Sequence, residues 1–164
     1  MPASEKLRAA VRDVVDFPKP GIVFKDITPI LADGKLFRDS VTLLCETAGG
    51  AKIDKVVGID ARGFIFASAV ADRLGVGFVP VRKKGKLPWK TRQTAYALEY
   101  GEAIVESVLL VDDLLATGGT AAAAVKLLDE LGANLVGISV LIELSFLAGR
   151  TKLVPHPVHS ILTY

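Results

Sequence analysis

The sequence predicts an α/β domain: a mainly parallel, twisted sheet with helices on both faces. Three observations support this. Short runs of apolar β-formers alternate with helix-like stripes from Lys55 to Ile142. The run Val108 to Val111 is apolar at every position rather than at every second one, which suits a parallel strand covered on both sides. With 164 residues, 51% of them hydrophobic, the chain suits a single domain that buries about 70% of the surface its unfolded form exposes.

Ser4 is placed to cap a first helix whose Leu7, Ala10, Val11 and Val14 form one apolar stripe, and Phe17-Pro-Lys-Pro-Gly21 stops it. An extended loop is expected next. Asp33 then caps a helix with Phe37, Val41, Leu44 and Ala48 on its inner face, and Gly49-Gly50 ends it. A strand over Lys55 to Ile59, a helix over Phe64 to Leu74 and strands over Gly77 to Arg82 and Val108 to Val111 follow. A helix over Ala121 to Leu131 and a strand over Leu135 to Ile142 complete the alternation. Tyr96 to Tyr100 alternates well enough for one more strand, and His159 to Thr163 suits a short edge strand.

Bulk chemistry narrows the function. Cys45 is the only cysteine, so no internal disulfide forms, and with only His156 and His159 besides, a Cys/His metal cluster is excluded. This composition fits a reducing cytoplasm. The N-terminus opens an amphipathic pattern rather than a signal-peptide core, and no apolar run approaches the ~20 residues of a membrane span, so a soluble protein is expected. The net charge is +2 but uneven: Arg82, Lys83, Lys84, Lys86, Lys90 and Arg92 form a run without a single acid. Trp89 is its one aromatic residue, too few for stacking on single strands, so a small polyanion is the expected partner and nucleic acid is not.

The chemistry concentrates in Val108-Leu-Leu-Val-Asp-Asp-Leu-Leu-Ala-Thr-Gly-Gly-Thr120. Asp112 and Asp113 stand where the strand should end. Ala116, Thr117, Gly118, Gly119 and Thr120 form a Gly-rich turn into an Ala-rich helix, whose free N–H groups and dipole favour an anion. A phosphate is expected on the turn, with sugar hydroxyls or a divalent metal near the carboxylates. The chain has no Gly-x4-Gly-Lys-Ser/Thr motif, and Gly75-Val-Gly77 lacks the third glycine of a dinucleotide fingerprint. In Asp60-Ala-Arg-Gly63, between a strand and a helix, Arg62 and nearby amides can face a second anionic group; the alternative is an Arg62–Asp60 pair on a surface turn. Asp60 to Gly63, Lys83 to Lys86 and Asp112 to Thr120 all emerge at carboxyl ends of strands, where ligands of open α/β sheets gather.

The segment Val108 to Thr120 resembles the 5-phosphoribosyl-1-pyrophosphate (PRPP) signature of the type I phosphoribosyltransferases. Asp16 to Pro29, Gly58 to Phe64, Val81 to Pro88, Leu98-Glu-Tyr-Gly101, Leu141-Ile-Glu-Leu and Gly149-Arg150 are similar to the adenine-specific branch of that family, so the resemblance covers almost the whole chain. It implies the type I phosphoribosyltransferase fold in one domain, 1–164. Residues 1–33 would supply the N-terminal helix and a small base-binding hood, and 34–164 a core with a flexible loop around 84–106. The implied reaction joins adenine to PRPP, giving AMP and pyrophosphate, with Mg2+ as cofactor in a cytoplasmic homodimer.

By the same carry-over, Asp60, Ala61, Arg62, Arg82, Lys83 and Lys86 bind pyrophosphate, and a cis peptide falls at Asp60-Ala61. Asp112 and Asp113 hold ribose hydroxyls, and Mg2+ is bound mainly through substrate oxygens and water, with those two aspartates as the possible protein ligands. The backbone of Val23 and Lys25 reads adenine, with Phe24 and Leu114 near its faces, and Glu99 handles the purine proton. Read from residues alone, Phe17 to Phe24 is a Pro-kinked loop over the core, and Glu99 fits an exposed strand carboxylate equally well. The chain departs from the family pattern in two places: the connection Glu102 to Val111 is shorter than usual, and Trp89 stands where a glycine normally follows Leu87-Pro88. A nucleotide-sensing regulator without turnover and a transferase for hypoxanthine, guanine or orotate are the alternatives.

Overall fold

A computed structural model describes residues 1–82 and 105–164, which form two compact units, Met1–Leu43 and Leu44–Tyr164. The first unit holds helix α1 (Ala3–Ala10), strands β1 (Arg12–Val15) and β2 (Val23–Asp26), helix α2 (Thr28–Ala32) and the start of α3 (Gly34–Glu46). The first helix therefore stops short of Val14, and Pro2 rather than Ser4 occupies its N-cap. The backbone is already extended at Val11, and β-branched Val14 and Val15 favour a strand.

What the sequence suggested would be an extended loop is in part an antiparallel hairpin, in which Arg12 faces Asp26 and Asp13 faces Lys25. Opposite charges meet across both pairs, Arg12 to Asp26 at 2.5 Å and Lys25 to Asp13 at 2.6 Å. The Asp26 carboxylate also accepts the Thr28 N–H at 2.9 Å; with Arg12 beside it, this holds its pKa down at about 2. Asp33 caps α3 as expected, accepting the N–H groups of Lys35 at 2.8 Å and Leu36 at 2.9 Å. Val41 and Leu44 are buried, but α3 ends before Ala48.

The second unit contains β3 (Lys55–Ile59), α4 (Gly63–Leu74), β4 (Gly77–Val81), β5 (Ser107–Leu115), α5 (Gly119–Glu130), β6 (Asn134–Glu143) and β7 (Val158–Thr163). Short 3-10 turns cover Ser145–Leu147 and Gly149–Leu153. The strands lie in the order β4-β3-β5-β6-β7, and every neighbouring pair is parallel. The segment Tyr96 to Tyr100, expected as a strand, lies outside the described residues, as does most of the loop expected around 84–106.

One strand differs from expectation in a way that matters for function. β5 does not end before Asp112 but runs on to Leu115, because β6 keeps pairing with it through Asp112↔Val140, Leu114↔Ile142 and Leu115↔Glu143. On one face of the sheet Val57, Ile59, Val108, Leu110, Ile138 and Val140 pack with Ala121, Ala124, Val125 and Leu128 of α5. The alternate residue Gly58 points to α4, so closely that a Cβ there would lie 2.5 Å from Cβ of Ala67. The sheet is thus covered on both sides, as the unbroken apolar run of Val108 to Val111 requires.

From β3 the chain moves outward to β4 and then returns to place β5 on the other side of β3. This reversal opens a crevice between the carboxyl ends of β3 and β5. No helix among the described residues is long and apolar enough to cross a membrane. Leu110 is fully buried under α5, so Leu110→Ala should cost about 2–5 kcal/mol of stability in urea unfolding. A loss below about 1 kcal/mol would mean that this layer is not packed as described.

Candidate active site

β3 pairs with β5 only as far as Gly58↔Val111, and beyond that point β5 continues against β6 alone. The notch left beside Asp112 and Asp113 is a cavity of about 260 Å3. The loop after β3 (Asp60, Ala61, Arg62), the end of β5 (Asp112, Asp113, Leu114) and the turn Ala116, Thr117, Gly118, Gly119 and Thr120 all line it, together with Ile59, Leu115 and Ala121. The two anion-binding segments expected from sequence therefore face one space.

Charge is arranged tightly here. Arg62 reaches across the notch to Asp113, Nε to Oδ2 at 2.9 Å, while Asp60 accepts Arg82 Nε at 3.1 Å. The surface-turn alternative for Arg62 is thereby replaced by a pair that spans the cavity. The Asp60–Ala61 peptide is cis, as the family resemblance implies.

Asp113 is 8% exposed, and Asp112 lies against the first turn of α4, where a side chain on Gly63 would collide with its carboxylate. The Asp113 N–H donates to Asp112 Oδ1 at 2.9 Å. Burial, then the neighbouring Asp113 charge, push the Asp112 carboxyl up to about 8. An aspartate pair on the wall of the notch, with one guanidinium on Asp113, is poised to take up hydroxyl groups or a cation.

The Gly-rich turn follows directly from β5. Gly118 caps α5 with φ of 82°, a left-handed conformation that a side chain would disfavour, and its carbonyl accepts the first helical bond from Ala122 N–H at 2.9 Å. No side chain caps this end. The leading N–H groups of a helix have no partner within it, and the dipole adds partial positive charge at the same place. An anion of phosphate size satisfies both.

Other expected site residues are more dispersed. Val23, Phe24 and Lys25 belong to β2 of the first unit, where Phe24 stacks edge-on with Phe17 at 5.3 Å and Lys25 pairs with Asp13. They lie on a strand, while the preceding Phe17 to Ile22 form the Pro-containing turn that the residues alone suggested. Lys83, Lys86 and Glu99 lie outside the described residues, as do Trp89 and the start of the short connection from Glu102. Two contributors were not anticipated as such: Gly63, which seats Asp112, and Gly149, which backs the Gly-rich turn. Only the Gly149-Arg150 pair in the sequence hinted at the second.

A phosphoribosyl transferase domain model matches residues 31–157. The adenine phosphoribosyltransferase of Acidothermus cellulolyticus is 54% identical over 96% of this chain and 95% of its own length. That of Anaeromyxobacter dehalogenans is 52% identical over 98% and 99%. The chain belongs to the adenine phosphoribosyltransferase family. Among solved family members, the Thermoanaerobacter pseudethanolicus structure superposes with a TM-score of 0.87 at 45% identity, covering 98% of this chain and 99% of that one. The Saccharomyces cerevisiae family member, complexed with an imino-altritol bisphosphate and adenine, gives 0.86 at 40% identity, covering 98% of each chain. The five-stranded parallel sheet flanked by helices is thus the type I phosphoribosyltransferase fold.

The Asp112 shift has a definite sign. Its folded value of about 8 lies above the ordinary 3.8, so between the two the native state binds a proton that the unfolded chain releases. Stability from this group is complete below about 4 and lost as pH rises through about 8. Asp112→Asn removes the dependence, so the melting temperature of the variant should gain on the parent more at pH 8.5 than at pH 5. An equal difference at both would show that Asp112 titrates normally.

Proposed function

We propose that the protein joins adenine to the 5-phosphoribosyl group of PRPP, giving AMP and pyrophosphate, with the β3/β5 notch holding the donor. The observation that carries this reading is the convergence in one cavity of a helix-terminal phosphate turn, an aspartate pair and an arginine. Adenine as the base follows from the similarity to adenine phosphoribosyltransferases, and the complex of the Saccharomyces protein with adenine and a bisphosphate supports it.

In the reaction the bond from ribose C1 to the pyrophosphate oxygen breaks, and the bond to the purine nitrogen forms. Positive charge builds on the ribose while the leaving group gains negative charge. The 5-phosphate sits on the N–H groups of Ala116 to Thr120, which fixes one end of the sugar. Asp112 and Asp113 exchange hydrogen bonds with the ribose hydroxyls, and the Asp113 carboxylate, left open as Arg62 turns away, favours the developing cation. Arg62, released from Asp113, turns to the pyrophosphate with Asp60, Ala61, Arg82, Lys83 and Lys86. Adenine recognition is assigned to Val23, Phe24 and Lys25 of β2 and to Leu114 of β5, and Glu99 takes up the purine proton.

Among the described residues no cluster of three His, Cys, Asp or Glu side chains could hold a metal alone. As the family resemblance implies, Mg2+ would be bound mainly by substrate oxygens and water, with Asp112 and Asp113 as the protein side chains able to contribute. When bound, the ion neutralises charge on the departing pyrophosphate. A cytoplasmic homodimer, with residues 1–33 as the hood of a single domain 1–164, completes the reading.

Incubation with radiolabelled adenine, PRPP and Mg2+ should yield labelled AMP, and Arg62→Ala should lower kcat by roughly a hundredfold, about 3 kcal/mol in the barrier. AMP binding by the folded protein without any product would support a nucleotide-sensing regulator instead. Preference for hypoxanthine, guanine or orotate in competition would reassign the base.

A further inference from the structure

The phosphate turn is braced from behind by bare backbone. A Cβ on Gly149 would collide with the Ala116 carbonyl oxygen and lie 2.9 Å from the Gly118 nitrogen, and a Cβ on Gly118 would collide with the Gly149 carbonyl. Two backbone runs thus touch with no side chain between them, so any displacement of Gly149 displaces the turn. Gly149 itself is buried.

Gly149 is held by its neighbour. Arg150 forks onto Glu143, Nε to Oε1 at 3.0 Å and Nη2 to Oε2 at 2.5 Å. The same guanidinium donates to the Val158 carbonyl at 2.7 Å and to Ser160 Oγ at 2.9 Å, and Ser160 Oγ donates in turn to Glu143. Glu143 is 5% exposed, and Arg150 holds its carboxyl below the usual range despite that burial. Glu143 is also in register with Leu115, the residue before the phosphate turn, and the Leu144 N–H donates to the Leu115 carbonyl at 2.9 Å. The network therefore grips both sides of the turn: its entry through β6 and its back through Gly149. At the far end of the Gly149–Leu153 segment, Leu153 is buried in the α5 cluster.

We propose that Arg150 is a positioning residue for the donor's 5-phosphate, acting through Glu143, Ser160 and Gly149 to set the phosphate turn. The proposal rests on the reading of Ala116 to Thr120 as the phosphate site. Arg150 is neutralised by Glu143, so its influence on the phosphate runs through geometry rather than long-range charge. Arg150→Lys separates the two, because lysine keeps the charge and loses the planar fork. Gly149→Ala disturbs the same contact and leaves the ion pair intact.

The test is calorimetric titration with ribose 5-phosphate and with pyrophosphate, alongside KM values for PRPP and adenine. Arg150→Lys and Gly149→Ala should each weaken ribose 5-phosphate binding and raise the PRPP KM by about tenfold or more, since small misplacements at a binding group are costly. The adenine KM and pyrophosphate affinity should stay within about twofold. Ser160→Ala, a milder change, should move the same two quantities by about threefold and serves if the other variants fail to fold. If the parent protein does not bind ribose 5-phosphate, the phosphate site itself is misassigned. Folded variants that retain parental affinity, or that lose all ligands alike, would overturn the positioning role while leaving the site intact.

Discussion

Two aspartates on consecutive positions of a buried parallel strand are electrostatically uncomfortable, and much of the second unit can be understood as the arrangement that keeps them there. β6 continues to pair with β5 past Val111 while β3 stops, so the backbone of Asp112 and Asp113 is satisfied on one side and open to the notch on the other. Arg62 offsets Asp113, and Asp112 is left with a carboxyl that resists ionisation. A proton on Asp112 and the Arg62 guanidinium on Asp113 together relieve the repulsion between the two carboxyl groups. This is the usual signature of a site organised for a reaction rather than for stability.

The same reversal of strand order that opens the notch also brings an uncapped helix terminus to its rim. The helix terminus offers backbone N–H groups suited to an anion, and Gly118 leaves the turn room to lie against the Gly149 backbone behind it. Binding at one rim and the Arg62 pair at the other define a span suited to a sugar carrying two negative groups. The reaction needs little more from the protein than this placement, since charge control and orientation supply most of the acceleration in transfers of this kind.

The frame of the second unit was largely legible in the sequence. β3, α4, α5 and β6 fall within a residue or two of their predicted limits, because apolar runs and helical stripes there are long and unambiguous. The aspartates were legible as lining a candidate site, which the shared cavity matches, but not as part of the strand: carboxylates normally mark a strand end, and only the pairing partner β6 keeps β5 going. The N-terminal hairpin was missed because Val11 and Val14 fit a helical stripe as well as a strand, and the pairing that tells them apart, Arg12 with Asp26 and Lys25 with Asp13, joins residues far apart in sequence. Gly149 and Arg150 could not be placed behind the phosphate turn from spacing, since nothing local in residues 143 to 160 announces a contact with residues 116 to 118. Adenine itself came from family resemblance, not from any pattern of charge or hydropathy.

The central claim is that the activated ribose lies across the β3/β5 notch with its 5-phosphate on the α5 terminus. A crystal structure of the protein with AMP tests it most directly. The account predicts phosphate oxygens within hydrogen-bond reach of the N–H groups between Thr117 and Thr120, with both ribose hydroxyls on Asp112 and Asp113. A nucleotide bound with its phosphate anywhere else, and that turn empty, would contradict it.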